Sequence, residues 1–152
     1  MECGVLLSIR RLIWVIFFGL LTVNAGAGSR TLVLVVRADS KLVDLDSLAV
    51  RKLFLGLPVL VNGSPLHPVR NRSDADLDPI FLQEIVAMSQ SAYDRQTLIG
   101  VNRQGWLRPT EATSVGELLN QLYADPNAVS FMWLTDVAHN PKVRVIRVLW
   151  GD

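Results

Sequence analysis

Two arginines and three aspartates lie close together between Arg70 and Asp78, which gives this segment clear potential for chemistry. A strand-like approach with Arg70 and Arg72 leads into a polar turn, and the turn opens into an apolar-periodic helix. Backbone N–H groups at a helix start can bind an anion, especially beside an arginine. Because the turn also holds Asp74, Asp76 and Asp78, it either binds an external anion or places the protein's own carboxylates there.

Arg72 and Asp74 allow two interpretations. In the first, Arg72 binds two oxygens of a phosphate or sulfate while Asp74 holds its guanidinium in place. In the second, the two side chains form a surface pair that closes the turn and adds little stability. The residue types alone favour the second interpretation.

Other catalytic or metal-binding constellations find little support. Asp74, Asp76 and Asp78 alternate as in a calcium loop, but the glycine that such a loop needs is missing. Carboxylates at a helix start explain the same residues. His67 and His139 have no histidine or cysteine partner at metal-ligand spacing, and no nucleophile motif occurs. We therefore predict no catalytic residues, no metal site and no cofactor, and hence a protein that is not an enzyme.

The N-terminus predicts export. The basic pair Arg10-Arg11 precedes the apolar run Leu12–Val23, and the small residues Ala25 and Ala27 follow. The run is shorter than the roughly 20 residues that a membrane-spanning helix needs. We therefore predict a signal peptide over residues 1–27, with cleavage after Ala27 or alternatively after Ala25, rather than a retained anchor. The predicted location is the periplasm.

The predicted mature domain, residues 28–152, has equal numbers of acidic and basic residues and no cysteine. A net charge near zero gives no field that would attract nucleic acid or an acidic membrane. Without cysteine, no disulfide can form, so stability must come from the hydrophobic core. We expect one domain that does not bind nucleic acid and has no stable membrane insertion after signal cleavage.

Apolar patterning predicts alternating strands and helices. The continuous aliphatic run Leu32–Arg37 is typical of a strand covered on both faces. Asp46 can cap a helix that ends near Gly56, and Ser114 with Glu117 forms a capping box. Further strands are predicted at 59–61, 66–69, 129–134 and 143–148, and further helices at Pro79 and from Ser89 or Ser91 to near Gly100. This alternation implies an α/β domain with a mixed sheet.

Four short motifs follow one another in a characteristic order. They are Leu45–Leu48, Leu53–Gly56, Asn62–Pro65 and Ala124–Phe131. Over roughly residues 31–149, this order resembles one lobe of the phosphate ABC transporter substrate-binding proteins. The resemblance implies a short, single-lobe type 2 periplasmic-binding-protein-like domain, with a mixed sheet flanked by helices and a binding rather than a catalytic role.

The resemblance also implies a ligand site. Members that bind phosphate carry an R-S-D-G-S-G-T-like turn before a helix, and Arg72, Ser73 and Asp74 match its first half. These three residues are therefore the expected ligand-binding residues, for a small oxyanion. Residues 75–78 differ, because carboxylates replace hydroxyl groups and side chains replace glycines. That change argues against phosphate binding in the familiar manner.

A second function remains open beside ligand binding. Because the resemblance covers a single lobe, a surface that would face the cleft is free to contact something else. The alternative is therefore an envelope protein-interaction or sensor-accessory module without a small-molecule ligand. Its partner would be another envelope protein or a second copy of the chain.

Overall fold

The computed structural model describes residues 30–151, which form a five-stranded sheet with helices on both faces. The predicted signal peptide lies outside these residues. The strands are β1 (Thr31–Arg37), β2 (Leu60–Val61), β3 (Ser64–Pro65), β4 (His67–Asn71), β5 (Thr110–Ala112), β6 (Ala128–Trp133) and β7 (Val143–Gly151). The helices are α1 (Ser47–Phe54), α2 (Leu77–Ile80), α3 (Gln90–Gln104), α4 (Val115–Ala124) and α5 (Leu134–Ala138), and a π-helical turn, Phe81–Ile85, continues α2.

The main sheet is mixed, with the strand order β5-β4-β6-β1-β7. β4 runs parallel to β5 and β6, whereas β1 runs antiparallel to β6 and β7. β2 and β3 form a separate hairpin, whose turn residues Asn62 and Gly63 both have positive φ. The predicted α/β class with a mixed sheet is confirmed. As a consequence of the topology, the carboxyl ends of β4, β5 and β6 meet at one edge of the sheet.

β1 is the strand around which both halves of the core are built. Its residues Leu32–Val36 are completely buried, as the aliphatic run predicted. Alternate side chains point to opposite faces of a strand. Leu32, Leu34 and Val36 therefore pack with α1, the π-helical turn and α3, while Val33 and Val35 pack with α4.

Side-chain caps fix the beginnings of helices α1 and α4. The Asp46 carboxylate accepts a hydrogen bond from the amide of Ala49 at 2.8 Å, which caps α1 as predicted. At α4, the Ser114 hydroxyl accepts from the amide of Glu117 at 3.1 Å, and the Glu117 carboxylate accepts from the amide of Thr113 at 2.8 Å. The Ser114 cap satisfies an amide that has no partner within the helix, while the Glu117 carboxylate reaches one residue beyond the cap, to Thr113.

Helix α3 extends beyond its predicted end near Gly100 and finishes at Gln104. Gly100 does not end the helix; it lets the Trp106 ring pack closely, since a Cβ there would lie 2.0 Å from Cε3 of that ring. Gly105, with a φ of 65°, ends the helix instead. The short elements β5 and α5 were not predicted, because neither carries a clear apolar period.

Candidate functional site

The turn after β4 is held in shape by its own side chains. The buried Asn71 accepts a hydrogen bond from the amide of Ser73 at 2.9 Å and donates one to the carbonyl of Phe131 at 2.9 Å. The Asp74 carboxylate accepts from the amide of Asp76 at 3.0 Å. Polar residues at this turn therefore bond to nearby backbone and fasten it to β6.

Arg72 contacts Asp78 and Glu111. Its guanidinium lies 3.2 Å from a carboxylate oxygen of Asp78 and 3.3 Å from one of Glu111. The expected pair between Arg72 and Asp74 is wrong, because β5 places Glu111 opposite Arg70 in the sheet and so brings a closer carboxylate. The charges of Asp78 and Glu111 raise the pKa of Arg72 above its usual value.

Asp74 points the other way, toward the end of β6. Its second carboxylate oxygen accepts a hydrogen bond from the indole N–H of Trp133 at 3.0 Å. Hydrogen bonds from the Asp76 amide and from Trp133 lower the pKa of Asp74 below the usual value for an aspartate. Asp74 is therefore a fixed negative charge at neutral pH.

Arg70 is the residue of this region to which the sequence reasoning assigned no role. Its side chain is only 2% exposed and donates to Asp78 at 2.9 Å and to Gln90 at 3.1 Å. The guanidinium also lies 4.5 Å from the centre of the Phe81 ring and 5.0 Å from that of Tyr93. The available signal was an arginine directly after Val69 of a predicted strand, two residues before the arginine of the turn.

One carboxylate, Asp78, therefore serves both arginines of the segment. It contacts Arg70 at 2.9 Å and Arg72 at 3.2 Å, and Glu111 lies beside the same two guanidinium groups. Burial raises the pKa of the neighbouring Tyr93 to about 12, so its hydroxyl stays protonated and donates to the carbonyl of Phe54 at 2.9 Å. The protein's own carboxylates thus contact both arginines of the segment.

The three alternating aspartates do not converge on a common point. Asp74 contacts Trp133, Asp76 contacts Arg30, and Asp78 contacts the two arginines described above. Across residues 30–151, no three histidine, cysteine or acidic side chains are grouped so that they could hold a metal ion. The calcium-loop interpretation therefore has no geometric basis in this turn.

A groove of about 780 Å³ lies at the carboxyl ends of β4 and β6, beside the start of β1. We call it the carboxyl-end groove. Ser73 and Asp74 line it, whereas Arg72 is not among its lining residues. The groove is lined by Arg30, Thr31, Ser73, Asp74, Ala75, Val115, Trp133, Thr135 and Asp136. In open α/β sheets, ligands characteristically bind outside the carboxyl ends of parallel strands.

The lining of the carboxyl-end groove combines hydroxyl groups, two carboxylates and an aromatic wall. The Arg30 guanidinium lies 5.3 Å from the centre of the Trp133 ring and also contacts Asp76. Trp133 also packs edge-on against Trp150, at 6.3 Å between ring centres. Hydrogen-bonding groups beside a fixed aromatic ring are suited to a small polar ligand.

Among residues 30–151, no helix is both long and apolar enough to cross a membrane.

The mixed sheet and its two helical layers are similar in fold to solved structures of phosphate-transporter substrate-binding proteins. One similar structure is of a protein from Clostridium perfringens described as a phosphate ABC transporter substrate-binding protein with bound phosphate. It has 14% identity and a TM-score of 0.57, over 78% of this chain and 45% of that chain.

Two further solved structures are also similar in fold to this chain. A phosphate-binding protein candidate from Planctomyces limnophilus has 10% identity and a TM-score of 0.56, over 78% of this chain and 41% of that chain. PstS from Borrelia burgdorferi has 11% identity and a TM-score of 0.53, over 78% and 47%. The predicted resemblance is confirmed at the level of the fold, and the chain spans less than half the length of these proteins. No family model and no curated protein sequence matches the chain.

Proposed function

We propose that the protein is an exported, non-catalytic binding protein that holds a small polar ligand in the carboxyl-end groove. The observation that carries this proposal is the position of Ser73 and Asp74, which line a groove at the carboxyl ends of parallel strands. The basic pair and apolar run at the N-terminus support export to the periplasm.

Phosphate is not the ligand that the site favours. The Clostridium perfringens neighbour was solved with bound phosphate, but here Arg72 is held by Asp78 and Glu111. The groove itself carries the carboxylates of Asp74 and Asp136 beside Arg30, which already contacts Asp76. A phosphate dianion would therefore meet like charge without a free arginine to offset it.

Calorimetry tests the exclusion of phosphate. We expect no saturable heat when inorganic phosphate is titrated into the dialysed protein, because Arg30 and Arg72, the arginines at or beside the groove, already have carboxylate partners. Micromolar binding that disappears in Arg72→Ala would contradict this part of the proposal and would favour a phosphate-uptake role.

A thermal-shift screen with small amino acids, sugars and oxyanions tests the binding function itself. We expect at least one compound to raise the melting temperature of the protein. Thr135→Trp should abolish that increase because Thr135 lines the groove, whereas Ser91→Trp, on exposed α3, should preserve it. A screen without any stabilising compound, or one whose stabilising compounds are unaffected by Thr135→Trp, would contradict the proposal.

The exposed side of α3 favours a second candidate function, which is protein interaction. α3 buries only Tyr93, Thr97 and Gly100, while Leu98 and Ile99 are exposed. Adjacent exposed apolar side chains are a common feature of protein-interaction surfaces. An envelope protein or a second copy of the chain is the partner that this surface would contact.

Size-exclusion chromatography with light scattering tests self-association through α3. If the surface is an interface between copies, Leu98→Glu should convert a dimer to a monomer. Leu60→Glu is the matched control, since Leu60 is equally exposed but lies on β2. A wild-type protein that is monomeric at all concentrations would exclude self-association.

A further inference from the structure

A second cavity, of about 450 Å³, lies at the opposite edge of the sheet from the carboxyl-end groove. Its walls come from the segments 67–69, 107–110 and 121–128, that is, from the first residues of β4 and β6, the loop before β5, and the end of α4. We call it the amino-end pocket. Its size falls within the range of small-molecule sites, which is roughly 300–1,000 Å³.

The inner part of the amino-end pocket is apolar. Val69 and Ala128 are 3% and 2% exposed and belong to the core cluster beneath α4, and Pro68 is buried beside them. Ala124 and Leu107 add apolar surface nearer to solvent. This part of the pocket suits a compact hydrocarbon group, such as an aromatic ring.

Most polar groups of the pocket already have partners within the protein. The Thr110 hydroxyl donates to the Gln121 side chain at 2.8 Å, and Gln121 in turn donates to the carbonyl of Glu111 at 3.1 Å. One Asp125 oxygen accepts from the amide of Asn127 at 2.8 Å, and the other contacts Nδ1 of His67. These bonds fix the shape of the pocket but leave those groups little capacity to select a ligand.

Arg108 is the exposed charged side chain in the lining of the pocket, whereas the carboxylate of Asp125 is only partly exposed. Asp125, the other charged group in the lining, has both oxygens occupied as described above. A guanidinium next to an apolar wall matches a carboxylate joined to a hydrocarbon body.

We propose that the amino-end pocket binds a small monocarboxylate with an apolar body. The body packs on Val69 and Ala128, and the carboxylate pairs with Arg108. The His67 ring, held by Asp125, forms one side of the entrance. This site shares no lining residue with the carboxyl-end groove, so it stands whether or not that groove binds a ligand.

Amide NMR titrations with benzoate and benzyl alcohol test the proposal. The two probes have similar apolar bodies, and only benzoate carries the negative charge. We expect benzoate to shift the amide signals of Val69, Thr110 and Ala128 saturably, with a dissociation constant about tenfold lower than that of benzyl alcohol.

Three variants make the test specific. Arg108→Gln should remove the preference for benzoate, while Arg95→Gln, an exposed arginine of α3, should leave the preference unchanged. Ala124→Phe should fill the pocket and abolish the shifts caused by both probes. Equal affinity for the two probes, or a benzoate titration unchanged by Ala124→Phe, would overturn the proposal.

Discussion

Asp78 holds together the polar part of the structure beside the turn. It is the common partner of Arg70, which is only 2% exposed, and of Arg72, whose side chain is 44% exposed. A buried guanidinium that loses its carboxylate keeps the full cost of its desolvation. Nε of Arg70 already has no hydrogen-bond partner among the described residues. The loss of Asp78 would leave a further N–H of the same buried guanidinium without an acceptor.

Asp78→Asn should therefore destabilise the protein by about 2 kcal/mol, less than the 3–5 typical of a broken buried pair because Asn keeps one acceptor oxygen. The free energy of unfolding in urea measures this change. Asp44→Asn is the matched control, because it breaks the exposed pair with Arg147 and should have little effect. Equal effects of the two substitutions would show that the Asp78 network does not stabilise the fold.

The pKa of Asp74 leads to a prediction about pH. Hydrogen bonds to its ionised form lower this pKa in the folded state from the reference value of 3.8, so ionised Asp74 stabilises the fold. That contribution is complete above the unfolded pKa and is lost as the pH falls through the lower, folded pKa. Asp74→Asn should therefore be less stable than wild type at pH 7, and the difference should shrink below about pH 4.

Urea unfolding of the wild type and of Asp74→Asn, from pH 7 to acid pH, measures how the difference in their free energies of unfolding depends on pH. The same series on Asp94→Asn, whose carboxylate accepts from Gln90 on the surface of α3, controls for general acid destabilisation. A difference between wild type and Asp74→Asn that stays constant down to acid pH would contradict the assigned cause of the shift.

At the scale of elements, the sequence correctly predicts those features of helices and strands that depend on neighbouring residues in the chain. Asp46 and Ser114 cap their helices as predicted, and strand β1 is buried on both faces as predicted. Each of these predictions rests on residues close in the chain. The partner of Arg72 could not be predicted in this way. It depends on Glu111, which reaches β4 only through the parallel pairing of β5.

The role of Gly100 also depends on a contact outside its own helix, and a substitution can test this role. Alanine normally stabilises a helix relative to glycine by roughly 1 kcal/mol. Here the new Cβ would lie 2.0 Å from Cε3 of Trp106, so Gly100→Ala should instead lower the free energy of unfolding, by about 1–3 kcal/mol. Gly116→Ala in α4 is the matched control, since a Cβ there meets nothing within 4 Å and should be neutral or stabilising.

A double variant separates the collision at Gly100 from other causes. If the Trp106 ring is the obstacle, Gly100→Ala should cost much less in a Trp106→Ala background. The coupling free energy from the four unfolding curves measures this difference. An additive result would place the cause of destabilisation elsewhere in α3.

On the scale of the whole molecule, strand β1 connects the two halves of the hydrophobic core. β1 lies between β6 and β7, and its alternating side chains enter both core clusters. The carboxyl-end groove and the amino-end pocket lie at opposite ends of β4 and β6, which β1 supports through β6. Both candidate sites therefore depend on a core that is complete only when β1 is present.

This dependence predicts how the chain responds to truncation. A chain that begins at residue 28, the predicted start of the mature domain, should unfold in a single cooperative transition because it keeps β1 and both clusters. A chain that begins at residue 38 lacks β1 and should have neither cooperative unfolding nor dispersed amide NMR signals. Calorimetry and NMR of the two chains measure the difference. Cooperative unfolding of the shorter chain would show that the two clusters form without their common strand.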